Sequence, residues 1–269
     1  MFLHTKNGVV HTVGGDMDYI RFGRGSKNLI ILPGLGDGLK TVRGTALPLA
    51  LMYRAFSAEY TVYAFSRSSL LHKGSTTRDM AADVHAAMQA LGIARADVIG
   101  VSMGGMIAQH LAADFPKAVG KLVLAVTCAQ PNPTLEAAVG EWIRLARLGD
   151  HTALMQSNMR LIYSPRYCRQ NGWLVPLIGR LTRPASYARF FIHAEACLKH
   201  DAHAKLARIQ SPTLVIGGEK DLALGAQASY ELARAIPGAA LVMYPQWGHG
   251  LYEEARDFQK VILDFLRQA

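Results

Sequence analysis

Short apolar runs alternate with amphipathic segments along most of the chain. The runs are rich in β-branched or aromatic residues and are bounded by turn residues, which is typical of buried strands. The predicted strands are residues 29–32, 61–65, 98–101, 122–126, 213–216 and 240–244, with 18–22 as a further candidate at an antiparallel edge. Apolar residues at helical spacing predict helices over 77–91, 103–115 and 254–266. Strands that alternate with helices predict an α/β fold, a mostly parallel sheet flanked by helices.

The alternation stops between the strands predicted at 122–126 and 213–216, where the periodicity is helical only. We therefore divide the chain into a core, residues 1–130 and 206–269, and an inserted helical cap, residues 131–205. An insertion at the carboxyl edge of the strands would overhang the place where open α/β sheets bind ligands. Four apolar side chains of the cap are therefore candidates for a substrate pocket: Trp142, Met159, Phe190 and Phe191.

Composition and charge exclude several classes of protein. The chain has 269 residues, of which 50% are hydrophobic and 18% charged, as in a soluble globular domain. No apolar run is long enough to span a bilayer and the first residues lack a secretory pattern, so we expect a cytoplasmic protein. The net charge is +9, but lysine and arginine are scattered, and we expect neither a nucleic-acid nor a membrane partner.

Three widely spaced cysteines, Cys128, Cys168 and Cys197, predict neither a disulfide framework nor a metal site. The spacing of the other residue types gives no sign of a metal or an organic cofactor. The sequence leaves the oligomeric state open, and it leaves open whether the basic cap selects an anionic substrate.

Residues 100–104, Gly-Val-Ser-Met-Gly, match the G-x-S-x-G pattern. A predicted strand precedes Ser102 and a predicted helix follows it, which is the strand, turn and helix that this pattern requires of a nucleophilic serine. A serine hydroxyl is a weak nucleophile at neutral pH and needs a nearby base. The pattern therefore predicts Ser102 as a nucleophile and requires a histidine elsewhere in the chain.

Asp221 and His249 are the candidates for the acid and the base. Each lies in a glycine-flanked loop directly after a predicted strand. The chain order Ser, Asp, His is the one found where a G-x-S-x-G serine lies between a strand and a helix. None of the other nine histidines has that setting. Glu219 is a rival acid because it lies closer to the strand end, and a helix N-cap is the structural alternative for Asp221.

The glycine-rich stretch at 32–38, Leu-Pro-Gly-Leu-Gly-Asp-Gly, follows the strand predicted at 29–32. A turn of this kind can direct a backbone N–H at a developing oxyanion. We expect the donors to be the N–H groups of Leu35 and of Met103, the residue after the nucleophile. A phosphate-binding loop is disfavoured because the G-x-G-x-x-G spacing is not present.

These motifs, together with the stretch that ends in WGHGLYEEARDFQKVILDFL, resemble the α/β-hydrolase fold family in its small ester and lactone branch. The resemblance covers roughly residues 18–266 and implies a Ser102, His249, Asp221 triad without a cofactor. Three departures leave the subfamily open: Pro33 stands where the family often has histidine, Arg256 where it often has proline, and residues 66–75 are degenerate.

The expected reaction is hydrolysis of a small carboxylic ester, lactone or thioester through an acyl-enzyme. The same triad could serve a carbon–carbon bond hydrolase acting on a diketone, or an aminopeptidase. An alternative of another class is a ligand receptor that keeps this fold and turns over slowly.

Overall fold

The computed structural model describes residues 4–268, so residues 1–3 and 269, the extreme ends of the expected core, lie outside the described residues. An eight-stranded sheet forms the centre, in the order β1-β2-β4-β3-β5-β6-β7-β8. The strands are β1 (Lys6–Thr12), β2 (Gly15–Phe22), β3 (Lys27–Leu32), β4 (Tyr60–Phe65), β5 (Ala96–Val101), β6 (Val119–Ala125), β7 (Thr213–Gly218) and β8 (Ala240–Tyr244). Strands β3 to β8 pair in parallel, which confirms the predicted mostly parallel sheet.

The edge of the sheet formed by the first strands of the chain differs from the expectation. The segment predicted as an edge strand is β2, which lies second and pairs antiparallel with both β1 and β4. The edge strand is β1, and its only buried residue is Val10. Because most of its side chains face solvent, β1 has no apolar run, and its pairing with β2 is invisible to a search for such runs.

Eleven α-helices surround the sheet in the described residues. They are α1 (Ala46–Met52), α2 (Thr77–Ala90), α3 (Met103–Asp114), α4 (Pro133–Arg147), α5 (His151–Ile162), α6 (Pro165–Asn171), α7 (Val175–Leu181), α8 (Ala188–Leu198), α9 (Gln227–Ala235), α10 (Leu251–Glu254) and α11 (Phe258–Arg267). The last predicted helix begins later than expected, because Ala255 has an extended backbone that separates α10 from α11. No pattern in the sequence predicts α1, and a helix near α9 is implied only by the N-cap alternative for Asp221.

The sheet separates two apolar clusters, one on each face. One contains side chains of α2 and α3, together with α4 and α8 from the segment between β6 and β7. The other contains side chains of α1, α10 and α11. The segment between β6 and β7 consists of α4 to α8 with turns and short 3-10 helices. Among the described residues, no helix combines the length and the apolar character needed to cross a bilayer.

Besides His151 and His249, three described histidines are buried: His110 in α3, His193 in α8 and His200, two residues after the end of α8. Burial lowers the pKa of His110 to about 4 and the pKa values of His193 and His200 to about 3. Histidine in the unfolded chain has a pKa of about 6.5, so between these values the unfolded state binds more protons than the folded state. These histidines therefore lower the free energy of unfolding as the pH falls below about 6.5, and together they outweigh the opposite effect of Asp83, whose pKa burial raises to about 6.

We expect the melting temperature to fall by roughly 10 °C or more between pH 7.5 and pH 5. Scanning fluorimetry across this range measures it. His110→Gln should flatten the dependence, whereas His203→Gln should leave it unchanged because His203 is exposed. A melting temperature constant between pH 7.5 and pH 5 would contradict the prediction.

Candidate active site

Ser102 occupies the turn between β5 and α3 with φ 53° and ψ −121°. A non-glycine residue rarely adopts this backbone conformation, which costs on the order of 1–3 kcal/mol and is characteristic of functional turns. The Ser102 N–H donates to the carbonyl of Ala125 in the neighbouring strand, at 2.9 Å, and the Ser102 carbonyl accepts from the N–H of Gly105, at 2.8 Å. These bonds hold the strained residue between sheet and helix.

The two glycines of the G-x-S-x-G pattern are required by close backbone contacts. A Cβ on Gly104 would lie 1.9 Å from the carbonyl oxygen of Leu32, and a Cβ on Gly100 would lie 2.6 Å from the carbonyl oxygen of Gly104. Real Cβ atoms do not approach backbone atoms so closely. Glycine at both positions therefore lets α3 start directly against the ends of β3 and β5.

Asp221 and His249 are hydrogen-bonded to each other, with 2.8 Å between Asp221 Oδ2 and His249 Nδ1. Both side chains are buried, and they lie in the loops that follow β7 and β8. The loops can approach because Gly218 carries no Cβ, which would otherwise lie 2.5 Å from the carbonyl oxygen of Trp247. With Nδ1 engaged by Asp221, the imidazole nitrogen left for other partners is Nε2.

The other oxygen of Asp221, Oδ1, accepts the N–H groups of Ala223 and Leu224, at 2.8 and 2.9 Å. Asp221 thus both caps a turn and orients His249. Burial alone would raise the pKa of Asp221, but His249 and the two backbone N–H groups outweigh burial and hold the pKa below its usual value. The rival acid Glu219 is exposed and accepts a hydrogen bond from the Tyr230 hydroxyl instead.

Ser102 and His249 line one cavity of about 700 Å³. Within the described residues no hydrogen bond joins Ser102 Oγ to His249 Nε2. Bonds between a nucleophile and its base are often long before substrate binds. The structure thus brings all three predicted residues to one place, with the acid and the base in direct contact.

The loop after β3 lies beside the serine. A Cβ on Gly34 would be 3.4 Å from Ser102 Cβ, so the loop backbone passes at van der Waals distance. Leu35 begins a short 3-10 helix, Leu35–Gly38, and also lines the cavity. In the described structure no backbone hydrogen bond uses the N–H of Leu35 or of Met103. These two N–H groups, the predicted oxyanion donors, are therefore available to a ligand.

Of the four pocket candidates in the cap, three line this cavity: Trp142, Met159 and Phe190. Phe191 does not. It follows Phe190 on α8, and successive helical residues point about 100° apart, so the Phe191 ring packs against Tyr187 and the cap core instead. Phe191 must therefore be removed from the predicted pocket.

Several polar residues of the cavity were not found from the sequence. They are Lys40, His151, Asn158, Tyr163 and Glu253. The Tyr163 hydroxyl donates to Glu253 Oε2 at 2.8 Å, which joins the end of α5 to α10 across the cavity. No local pattern indicated these residues, because they meet only through the fold. Lys40 is the only lysine or arginine among the described lining residues, so the basic residues of the cap do not face the cavity.

A buried ion cluster lies behind the loop after β3. The side chain of Arg189, on α8, donates to Asp37 Oδ2 at 2.7 Å and also to the carbonyl oxygens of Asp37, Arg67 and Ser68. Arg67 donates to the carbonyl of Pro33 on the same loop. Burial alone would raise the pKa of Asp37, but Arg67 and Arg189 outweigh it and keep the pKa below its usual value. The cap is thereby tied to the loop that carries Leu35.

We expect Arg189→Met to lower the free energy of unfolding by about 2–3 kcal/mol, because it leaves the buried Asp37 carboxylate with one cation fewer. The rate of acylation should fall as well, since the loop after β3 loses the two hydrogen bonds that Arg189 donates to Asp37. Urea unfolding measures the first effect, and Arg208→Met, an exposed residue, is the control. A double-mutant cycle combines Arg189→Met with Asp37→Asn. Strictly additive changes in the free energy of unfolding would contradict an interaction between these two side chains.

Comparisons with known proteins show the family and the fold. The family model described as "Alpha/beta hydrolase family" matches residues 29–260. A putative carbamate hydrolase, RutD, of Pseudomonas savastanoi pv. phaseolicola is 28% identical over 198 residues, which are 70% of this chain and 74% of that protein. A 2-hydroxy-6-oxononadienedioate/2-hydroxy-6-oxononatrienedioate hydrolase of a Pseudomonas species is 28% identical over 187 residues, 66% of this chain and 65% of that protein.

The crystal structure of an enol-lactonase from Burkholderia xenovorans LB400 superposes with a TM-score of 0.81 at 25% identity. The superposition covers 97% of this chain and 100% of that one. The likeness therefore extends over the core and the helical segment between β6 and β7 together.

Proposed function

The chain belongs to the alpha/beta hydrolase family, and within that family we propose that it hydrolyses neutral carboxylic esters or lactones through an acyl-enzyme on Ser102. The observation that carries the proposal is the buried Asp221–His249 hydrogen bond, whose histidine lines the same cavity as a serine on a strained turn. That the chain is a hydrolase follows from the family; the residues and the substrate are our proposal.

The mechanism follows from proton transfer. His249 Nε2 takes the proton of Ser102 Oγ as the oxygen bonds to the substrate carbonyl carbon. The imidazolium then gives that proton to the leaving alkoxide as the carbon–oxygen bond breaks, which leaves the acyl group on Ser102. Water repeats the sequence and releases the acid. Asp221 keeps the proton of His249 on Nδ1 and stabilises the imidazolium.

The negative charge on the substrate oxygen needs fixed donors. Within the described residues the N–H groups of Leu35 and Met103 have no backbone partner, and each belongs to the first residue of its helix. Removal of one oxyanion donor, a side-chain amide in a serine protease, costs about 2.7–4 kcal/mol of transition-state stabilisation. The cluster of Arg67, Asp37 and Arg189 holds the loop that supplies the first of them.

The cavity lining favours a neutral substrate with an apolar acyl or alcohol part. Aliphatic and aromatic side chains predominate, and Lys40 is the only lysine or arginine among the described lining residues. A pocket of this kind excludes water and holds ligands mainly by apolar contact. The lysine and arginine side chains of the cap are therefore not among the groups that would contact the substrate in this cavity.

The relatives suggest two further reactions for the same residues. A carbamate, as the name of the first relative indicates, differs from an ester only in the atom attached to the carbonyl. The second relative is named a hydrolase of 2-hydroxy-6-oxononadienedioate, a substrate with two carboxylates. Two carboxylates would require more cationic partners than Lys40 alone supplies, so the ester or lactone is favoured.

A substrate panel tests the proposal. One preparation should be given p-nitrophenyl esters of increasing chain length, a lactone, a carbamate, a thioester and a diketone. Rapid mixing with the p-nitrophenyl esters should show a burst of p-nitrophenol equal to the enzyme concentration, as expected for an acyl-enzyme. A stoichiometric burst followed by very slow turnover would support a receptor with this fold, and turnover of the diketone alone would overturn the ester assignment.

The cavity also predicts which variants change selectivity. Trp142→Ala and Met159→Ala should shift the preferred ester towards longer chains by roughly 10-fold in relative kcat/KM, since each enlarges the apolar space. Labelling by a small fluorophosphonate should change little. Phe191→Ala is the matched control, because Phe191 lies on the same cap but does not line the cavity. Equal shifts in all three variants would show that the cap does not select the substrate.

A further inference from the structure

Residues 151–194 contain six arginines and no aspartate, glutamate or lysine. Arg189 is engaged by Asp37, and Arg160 lies near Glu141. The remaining four are exposed and form no ion pair in the described structure: Arg166, Arg169, Arg180 and Arg183. The nearest acids to α6 are already engaged, because Glu253 accepts from Tyr163, and Glu254 accepts from Ser164. This part of the cap is a positively charged surface without internal compensation.

Large apolar side chains are exposed in the same stretch. Trp173 is 74% exposed, and Leu177 and Leu181, one turn apart on α7, are 57% and 76% exposed. Clustered exposed apolar groups on a protein surface usually mark a contact site. We refer to the four arginines with Trp173, Leu177 and Leu181 as the α6–α7 surface.

The α6–α7 surface borders the active-site cavity. Ile178, the neighbour of Leu177, is 39% exposed and also lines the cavity. Met52, at the end of α1, is 39% exposed and lines the cavity too, and Leu47 and Leu51 of α1 are exposed. Exposed apolar side chains of α1 and α7 therefore neighbour residues that line the cavity.

We propose that the α6–α7 surface docks the enzyme on an anionic lipid bilayer. Arginine together with tryptophan and leucine is the composition that binds the interface of such a membrane, where charge attracts the headgroups and the apolar side chains enter the acyl boundary. Nucleic acid would make no use of Leu177 and Leu181. A second copy related by a two-fold axis would bring the arginines of both chains together, which is unfavourable. The proposal replaces the expectation of no membrane partner, which was based on charge scattered along the sequence.

The docking does not depend on which acyl substrate is cleaved. It does explain why the basic charge of the cap lies outside the cavity, and it would bring the cavity mouth beside the bilayer. An apolar ester dissolved in the membrane could then enter the cavity past Ile178.

Flotation with lipid vesicles tests the proposal, using Ser102→Ala so that binding is measured without turnover. Vesicles of phosphatidylcholine with 30% phosphatidylglycerol should bind the protein, vesicles of phosphatidylcholine alone should bind it weakly, and 0.5 M NaCl should release it. The double variants Arg180→Gln/Arg183→Gln and Leu177→Ser/Leu181→Ser should each weaken binding roughly 20-fold. In the wild-type background they should hydrolyse a soluble short-chain ester at the normal rate.

Leu222→Ser and Arg208→Gln, exposed residues elsewhere, are the controls and should bind as the parent does. Trp173 emission, measured as the difference from Trp173→Phe, should shift to the blue on phosphatidylglycerol vesicles. No flotation with anionic vesicles, or unchanged flotation of both double variants, would overturn the proposal. Loss of a dimer in the Leu177→Ser/Leu181→Ser variant would overturn it in favour of self-association. Binding of RNA that depends only on the arginines would overturn it in favour of nucleic-acid binding.

Discussion

Ser102→Ala is expected to lower kcat by several powers of ten and to abolish covalent labelling by a fluorophosphonate. The change removes the only atom that can form the acyl-enzyme in our proposed mechanism. Triad members act as a unit, so the loss of one removes almost the whole covalent route, about 10⁶-fold in comparable enzymes. What remains would come from substrate binding and from the N–H groups of Leu35 and Met103.

The fold should survive this change. Alanine keeps the Cβ of Ser102, so the strain at φ 53° is the same, and the backbone bonds to Ala125 and Gly105 do not involve the hydroxyl. We expect a melting temperature within about 2 °C of the wild type. Ser157→Ala, a buried serine of α5, is the matched control and should label normally.

Intact-protein mass spectrometry after fluorophosphonate treatment, paired with a melting curve, makes the measurement. A folded Ser102→Ala protein that still gains the mass of one label would show that another residue is the nucleophile. The test does not depend on the natural substrate, because a fluorophosphonate reports only the activated hydroxyl.

The parts of the molecule that sequence reasoning anticipates are those with local requirements. The turn at Ser102 needs glycine on both sides because other backbone atoms lie within 3 Å of the positions that Cβ atoms would occupy. This requirement is visible in five consecutive residues of the sequence. The central strands are anticipated for a similar reason. Each is buried on both faces, so its residues form a continuous apolar run.

The parts that escape the sequence depend on distant contacts. Strand β1 has one buried residue and is defined by its pairing with β2. Arg189 and Asp37 are 152 positions apart, and nothing near either residue indicates the other. Phe190 and Phe191 are equally apolar, and only the rotation of α8 decides which one meets the cavity. The exposure of Trp173 and Leu181 is likewise fixed by how the cap helices pack.

Asp221→Asn is expected to lower kcat by about 10⁴-fold while Glu219→Gln changes it by less than about 2-fold. The asparagine can keep the two bonds that Asp221 Oδ1 accepts from Ala223 and Leu224, so the loop should hold its shape. In the wild type, Asp221 Oδ2 accepts a hydrogen bond from His249 Nδ1. The amide nitrogen of asparagine at this place would donate a hydrogen bond to His249 Nδ1. The imidazole proton then moves to Nε2, and His249 can no longer take the proton of Ser102.

The pKa of Asp221 lies below its usual value, so the wild-type carboxylate stays ionised throughout the neutral range. The deficit of the Asp221→Asn variant should therefore be present at pH 6 and at pH 8. Glu219→Gln is the matched control because it makes the same chemical change two residues away, on a side chain that contacts Tyr230 rather than His249.

The rate of fluorophosphonate labelling should follow kcat in both variants, since labelling also requires the Ser102 hydroxyl to lose its proton. Labelling thus separates a defect in the base from a defect in substrate binding. If Glu219→Gln proved more damaging than Asp221→Asn in labelling rate, Glu219 would be the acid that serves His249. The hydrogen bond of 2.8 Å between Asp221 and His249 would then be a structural contact only.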